Sequence, residues 1–399
     1  MKQQILVIGA GFGGVWSALS AARLLDMHNR KDVEITLMAP QAELRIRPRF
    51  YEPDVHKMFA PLDNLFDLVG VRFIKGSAEL IDEQAKVVGY RDEAGRQGTV
   101  AYDRLVLASG SQLARPSVPG LASHAFDVDQ IETAVHLENH LKSLKNRPES
   151  VARNTIVIAG GGFTGIETGT EMPARLRSML GNDQAIRVII IDRAPEIAAT
   201  LGDGIRPSVI EASKELGIEW EVNASVAAID ANGVTLADGR RIESQTVIWT
   251  VGFRASPLTE QMTSARDNLG RLHVDENLRV LGQDHVYAAG DVAYAATDDI
   301  GNFAAMSCQH AISLGRYAGN NVVADLIGVS PVPYRQPKYV TCLDLGAWGA
   351  VYTEGWDRQL SLVKEPAKEL KTQINTQWIY PPADRASALA AADPLIPVA

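Results

Sequence analysis

The sequence predicts an α/β protein: two Rossmann-like dinucleotide-binding units, the first discontinuous in the chain, followed by a small C-terminal domain. Three observations predict it. Gly9-Ala10-Gly11-Phe12-Gly13-Gly14 directly follows the apolar run Ile5-Leu6-Val7-Ile8, and Gly160-Gly161-Gly162-Phe163-Thr164-Gly165 directly follows Thr155-Ile156-Val157-Ile158-Ala159. Each glycine turn thus stands between a strand and a helix, the context in which G-x-G-x-x-G cradles a pyrophosphate. Third, Val286-Tyr287-Ala288-Ala289-Gly290-Asp291 is a further strand ending in glycine that needs a sheet to complete. One such turn binds one dinucleotide; two point to electron traffic between a nicotinamide and a flavin.

Along the chain, each fingerprint leads into a helix and then a second apolar strand, Val33–Ala39 in the first copy and Arg187–Asp192 in the second. Alternation with crossovers of this length gives parallel, doubly wound sheets. Turn chemistry at Asp92-Glu93-Ala94-Gly95, Asn232-Gly233 and Asp238-Gly239 marks short hairpins. Each copy closes on an apolar strand ending in glycine, Leu105 to Gly110 and Val247 to Gly252. A helix is expected from Phe303 to about Ile327, prolines from Pro331 to Pro337 break regular structure, and the residues from Pro381 read as a loosely held tail. The expected domains are 1–111 with 255–330, 112–254, and 331–399.

A chain of 399 residues exceeds one ordinary core. With 46% apolar and 22% charged residues it has the composition of a globular enzyme, and a net charge of -9 argues against nucleic acid as a partner, since no large basic excess is there to neutralise phosphates. Arg45, Arg47 and Arg49 form a local basic group around Pro48, read as a site loop or a solvated face. The two cysteines, Cys308 and Cys342, lack C-x-x-C spacing, so no disulfide scaffold or zinc ribbon is expected and a reducing, cytoplasmic location fits. No metal site is expected. No apolar run reaches the roughly 18–20 residues of a membrane span.

Within the fingerprints, Gly9 and Gly160 permit the tight turn, Gly11 and Gly162 admit the pyrophosphate, and Gly14 and Gly165 let helix approach strand. The phosphates then face a helix N-terminus, whose free amides favour an anion. Strand two should end in an acid for the adenosine ribose. Asp192 satisfies this in the second copy and favours NADH, because a carboxylate repels a 2′-phosphate; Arg193 softens the preference and leaves NADPH open. The first copy ends at Ala39-Pro40, with Gln41, Glu43 or water left to serve the ribose.

The stretches Gly160–Glu167, Val247–Leu258 and Val286–Ala293, with Ala108-Ser109-Gly110-Ser111, resemble the two-dinucleotide-binding flavoprotein reductases, and among them the type II NADH dehydrogenases (NADH:quinone oxidoreductases). The resemblance covers about residues 1–325. It implies FAD on the first copy, held by Gly9, Gly11, Phe12, Gly13, Gly14, Arg47, Ala78, Ser109, Gly110, Gly290, Asp291, Ala305 and Met306. Asp291 would bond the ribityl chain, and the helix beginning near Phe303 would face the flavin pyrimidine. NAD(P)H falls to Gly160, Gly162, Phe163, Thr164, Gly165, Asp192, Arg193, Val251 and Gly252. Glu167 is implied to approach the stacked nicotinamide and flavin; its structural alternative is an exposed first-turn acid that complements the helix dipole.

The resemblance implies a hydride passed from NADH to flavin N5 and electrons onward to a quinone or similar acceptor. Its quinone-lining pattern A-Q-x-A-x-Q meets Cys308-Gln309-His310-Ala311-Ile312-Ser313, which keeps the first glutamine, Gln309, and replaces the second by Ser313. His310 is a proton-donor candidate or a structural histidine. With no cysteine before Cys308, redox C-x-x-x-x-C chemistry is excluded, and Cys308 reads as a buried small residue. Trp348, Trp356 and Trp378 lie in polar sequence without a basic amphipathic face, so a membrane anchor is unsupported; core packing, flavin cover and a homodimer contact are their readings. Two other functions stay open: a rubredoxin- or ferredoxin-type reductase using the arginine group to dock a redox protein, and a non-catalytic nucleotide-binding scaffold.

Overall fold

The computed structural model describes residues 2–397. Its first parallel sheet has the order Val286–Ala288, Arg104–Leu107, Gln3–Ile8, Val33–Ala39, Val71–Lys75. These strands are apolar runs rather than alternating patterns because helices and loops cover both faces. Val286–Ala288 pairs with Leu105–Leu107, so the late strand completes the sheet begun at the N-terminus. The second parallel sheet repeats the plan with Ala125–Phe126, Thr246–Trp249, Thr155–Ala159, Arg187–Ile191 and Ile218–Glu221.

In both sheets the fingerprint strand is central and the chain reverses its direction of growth beside it. That reversal opens a crevice at the carboxyl ends of the strands, where ligands of open α/β sheets bind. Each unit also carries a three-stranded antiparallel meander, Ser77–Asp82 with Val87–Arg91 and Gln97–Ala101, and Val226–Asp230 with Gly233–Leu236 and Arg241–Glu243. Ser111–Leu113 and Phe253–Ala255 pair antiparallel where the chain leaves the first unit and returns to it.

The helix Cys308–Ile327 lies along the first fingerprint helix, Phe12–Met27. Their approach depends on two glycines: a Cβ on Gly315 would stand 2.5 Å from the Gly13 carbonyl oxygen, and one on Gly319 2.1 Å from that of Ser17. The helix starts five residues later than the sequence suggested. Ser307 caps it, accepting from the His310 amide at 3.3 Å, while Phe303 stacks on Tyr294 and the Ala304 amide bonds the Ala295 carbonyl. Those contacts hold Phe303 and Ala304 extended.

The C-terminal segment forms an antiparallel sheet, Val340–Asp344, Ala350–Glu354 and Gln359–Lys364, followed by the helix Glu365–Gln373. Trp348 is buried against Ile166, Leu201, Ile205 and Val209 of the second unit, whereas Trp378 is 56% exposed and belongs to no core. The expectation of a loose tail from Pro381 is wrong. Asp384 caps a helix, Arg385–Ala391, whose Ala388 is fully buried near the first fingerprint helix. Arg385 pairs with Asp26 at 2.5 Å and Asp393 pairs with Arg23. The alanines of this segment form a helix face, and its aspartates are the helix cap and an ion pair.

Candidate active site

In the first cradle Gly9 has φ +110° and a Cβ there would lie 2.3 Å from the Ala108 carbonyl oxygen; on Gly14 it would lie 1.8 Å from that of Gly9. Only glycine closes this turn. Gly13 faces Ala289 and Gly290, so the late strand end sits against the fingerprint, and Gly11, the helix N-cap, opens to free space. Phe12 is buried as the first helical residue. Asp291 accepts from the Ser111 hydroxyl at 2.6 Å and stands 3.7 Å from Arg47. Arg47 also bonds Ser111 Oγ at 2.8 Å, pairs with buried Asp129 and lies over the Phe253 ring. The structure therefore brings Arg47, Ser109, Gly110, Gly290 and Asp291 to one end of the sheet. Ala305 and Met306 are half-buried beside Gln309 at the head of Cys308–Ile327, and Ala78 lies on the strand Ser77–Asp82.

These residues fit a flavin dinucleotide. Besides the cradle, Ser109 Oγ and Gln309 Oε1 are buried with no partner among the described residues, polar atoms that a bound polar group would satisfy. At the ribose end, neither substitute named for the missing acid stands alone. Gln41 donates to Glu93 at 3.0 Å, Glu93 pairs with Lys75 at 2.6 Å, and Glu43 lies beside Arg45. Glu93 sits in the turn recognised only as a hairpin signal, so nothing in the sequence marked it.

The second cradle repeats the first. Gly160 has φ +115°, a Cβ on Gly165 would meet the Gly160 carbonyl oxygen at 1.8 Å, and Gly162 again opens to free space as N-cap. Phe163 and Thr164 begin the helix, half-buried. Asp192 accepts from the Gly161 amide at 2.5 Å and from the Ala194 amide at 2.8 Å, so its carboxylate is fixed at the strand end; Arg193 is exposed. Val251 and Gly252 follow the closing strand on the same side of the sheet, Gly252 at φ +76°.

Glu167 is not the exposed acid of its structural alternative. It is buried, and its Oε1 accepts from Lys371 Nζ at 2.7 Å and from the Asp344 amide at 3.1 Å. Burial raises the Glu167 carboxyl above its ordinary range despite the ammonium beside it. Burial opposes the Lys371 charge, but Glu167 and the other nearby acidic groups outweigh it and hold the amine charged. Asp344 takes Lys368 at 2.6 Å and the Tyr51 hydroxyl at 3.3 Å, and desolvation pushes that phenol well up. This buried network joins the first unit, the second fingerprint helix and the C-terminal segment. Lys371, Asp344 and Tyr51 lie 204, 177 and 116 residues from Glu167 or its neighbourhood in sequence terms that spacing cannot read.

His310 is fully buried, its Nδ1 within 3.0 Å of Ser307 Oγ and its Nε2 unpartnered among the described residues. Its ring lies 5.5 Å from Tyr339 and 5.7 Å from Trp356, which stack on each other. Burial, with Arg271 nearby, holds the imidazole down at about 4. Cys308 is a half-buried free thiol rather than a fully buried filler. The arginine group is not a free basic patch: Arg45 pairs with Glu132, Arg47 with Asp129 and Arg49 with Glu52. Among the described residues no cluster of three or more His, Cys, Asp or Glu is placed to hold a metal.

Two dinucleotide cradles, with a buried, ion-paired carboxylate one turn inside the second fingerprint helix, define a pyridine-nucleotide-dependent flavoprotein reductase. The chain belongs to the pyridine nucleotide-disulphide oxidoreductase family, whose model matches residues 3–315. It is 43% identical over 401 residues to an NADH dehydrogenase-like protein of Mycobacterium tuberculosis, covering 98% of each chain. It is 30% identical over 358 residues to a demethylphylloquinone reductase of Synechocystis, covering 88% of this chain and 86% of that one. Its fold matches NDH2 of Plasmodium falciparum, solved with NADH, at a TM-score of 0.80 and 15% identity over 98% of both chains.

Proposed function

We propose that the protein is an FAD-dependent NADH dehydrogenase that delivers electrons to a quinone-like acceptor. The observation that carries this reading is the pair of glycine cradles, the second completed by Asp192 at the ribose position and by buried Glu167 one turn inside its helix. Residues 1–111 with 255–330 are assigned to FAD, 112–254 to NADH, and 331–399 to the interface that carries Lys371. The relative named as a demethylphylloquinone reductase supports a quinone as the acceptor.

Bound FAD would supply the redox chemistry, accepting a hydride from NADH and returning two electrons to the acceptor. The chain supplies binding, orientation and proton control. Gly162 and the helix amides beyond it take the NADH pyrophosphate, and Asp192 takes the adenosine ribose. Glu167 has Oε1 fixed by Lys371 and the Asp344 amide, leaving Oε2 without a protein partner among the described residues to hold a proton near the reacting rings. Gln309 offers its unpartnered carbonyl oxygen on the acceptor side. Asp291 and Ser111 orient the ribityl chain, with Arg47 behind them.

Among the described residues no helix is long and apolar enough to cross a membrane. The reading places the protein in the cytoplasm, consistent with two free cysteines, and light scattering and vesicle flotation measure whether it forms a homodimer or touches a membrane. The deciding experiment is anaerobic mixing of the yellow protein with NADH, then with a soluble quinone. Bleaching followed by recovery is expected; a flavin that neither NADH nor NADPH bleaches rejects the reading.

A further inference from the structure

The turn between the last two strands of the C-terminal sheet reaches across to the second cradle. It runs from Gly355 to Arg358, pinned at one end by the Gly355 amide on the Tyr339 carbonyl at 2.8 Å and by Trp356 stacked on Tyr339 at 4.3 Å. At its other end the Arg358 guanidinium lies 5.4 Å from the centre of the Phe163 ring, and its Nη1 donates to the Thr200 carbonyl at 3.1 Å. The Arg358 backbone rests on Gly204, where a Cβ would meet its carbonyl oxygen at 2.4 Å. Arg358 itself has φ +53°, a left-handed conformation that non-glycine residues rarely adopt.

The placement concerns the nucleotide directly. Phe163 is the first residue of the fingerprint helix, and Thr200 lies in the segment that leaves the strand ended by Asp192. Arg358 therefore stands between the helix N-terminus that takes the pyrophosphate and the segment that flanks the ribose. Among the described residues it makes no ion pair, and its Nε is buried without a partner. Thr200 fills one of five donors, and the Phe163 ring offers a face to the cation. An arginine without an ion-pair partner and with a buried unpartnered Nε, beside an anion site, has the donors a phosphate takes.

We propose that Arg358 is a dinucleotide-binding residue, supplied by the C-terminal segment, that holds the pyrophosphate of NADH over the second fingerprint. The proposal rests on the assignment of that fingerprint to NADH. It makes the nucleotide site composite: the glycine turn and Asp192 come from one unit and a charged clamp comes from another. Trp356, two residues earlier in the same turn, fixes where the clamp can reach.

The test compares wild type with Arg358→Ala and Arg358→Lys, each checked for flavin content and thermal midpoint. Two electron donors are used: NADH, and reduced nicotinamide riboside, which lacks the pyrophosphate and adenosine. Loss of a charge-assisted contact raises KM for NADH roughly tenfold or more, as expected for about 1.5–3 kcal/mol. The ratio of KM for NADH to KM for the riboside rises by the same factor, kcat with NADH falls less than threefold, and Lys gives an intermediate ratio. Calorimetry with ADP-ribose shows the matching loss of affinity without any turnover. If Arg358 only staples the turn to the second unit, both donors suffer equally or the thermal midpoint falls with the ratio unchanged, and the proposal is overturned. An unchanged ADP-ribose affinity also overturns it. Failure of the underlying assignment looks different: the Asp192→Ala variant would then bind ADP-ribose as tightly as wild type.

Discussion

Glu167 and Lys371 show what a buried ion pair asks of both partners. Lys371→Met leaves a carboxylate in the interior without its counter-charge, at a cost of about 3–5 kcal/mol, read as a fall in the denaturation midpoint. Glu167→Gln keeps one acceptor for Lys371 and Asp344 and should cost less stability, while slowing electron transfer through the loss of the carboxylate. The double variant should be more stable than Lys371→Met alone. His310 gives a pH dependence of definite sign. Its folded value of about 4 lies below the ordinary 6.5, so below pH 6.5 the unfolded chain takes up a proton that the fold refuses. Its contribution is complete above pH 6.5 and is lost as pH falls toward 4, up to about 3 kcal/mol. Thermal midpoints measured across that range should fall less steeply for His310→Gln; an identical slope contradicts the assignment. At this scale the sequence was legible only locally. Asp192 and Gly162 follow from the spacing of one motif, whereas the partner of Glu167 lies on a helix that no spacing connects to it.

The two long helices of the first unit are held at a distance set by Gly315 and Gly319. Gly319→Ala should cost about 1–3 kcal/mol, because its Cβ must displace the backbone at Ser17 rather than a flexible side-chain end. The strain is passed to Gly13 and Gly290, so flavin should wash out of that variant more readily, measured by absorbance after dialysis. The G-x-x-x-G spacing of these two glycines stands in the sequence, but only the packing on Phe12–Met27 shows what it is for. Helix existence was legible, and helix limits were not: Ser307 starts Cys308–Ile327 because Phe303 and Ala304 are held in extended contacts. Deleting the chain from Arg385 should likewise lower the thermal midpoint, since Ala388 and the Arg23–Asp393 and Arg385–Asp26 pairs go with it. A loose tail would have been removed without effect.

The whole molecule separates its two nucleotide functions by unit, and paired substitutions test that separation. Gly14→Val and Gly165→Val place the same clash in corresponding turns, each putting a Cβ 1.8 Å from a carbonyl oxygen, that of Gly9 or of Gly160. The first should purify colourless; the second should purify yellow and resist bleaching by NADH. The duplication was legible because both sheets are buried on two faces, which writes their strands as continuous apolar runs. The C-terminal segment was not, because its polar strands and scattered tryptophans acquire meaning only against the other two units.

The first sheet contains the earliest and nearly the latest strands of the two dinucleotide units, Gln3–Ile8 and Val286–Ala288. During synthesis the second unit, continuous in the chain, has all its strands available before the first unit can be closed. The N-terminal strands must wait with the edge at Arg104–Leu107 unpaired and with Gly13 still lacking Gly290 beside it. Flavin capture is therefore a late step in the life of the chain: a ribosome-bound fragment ending before Val286 would carry a formed nicotinamide unit and no colour.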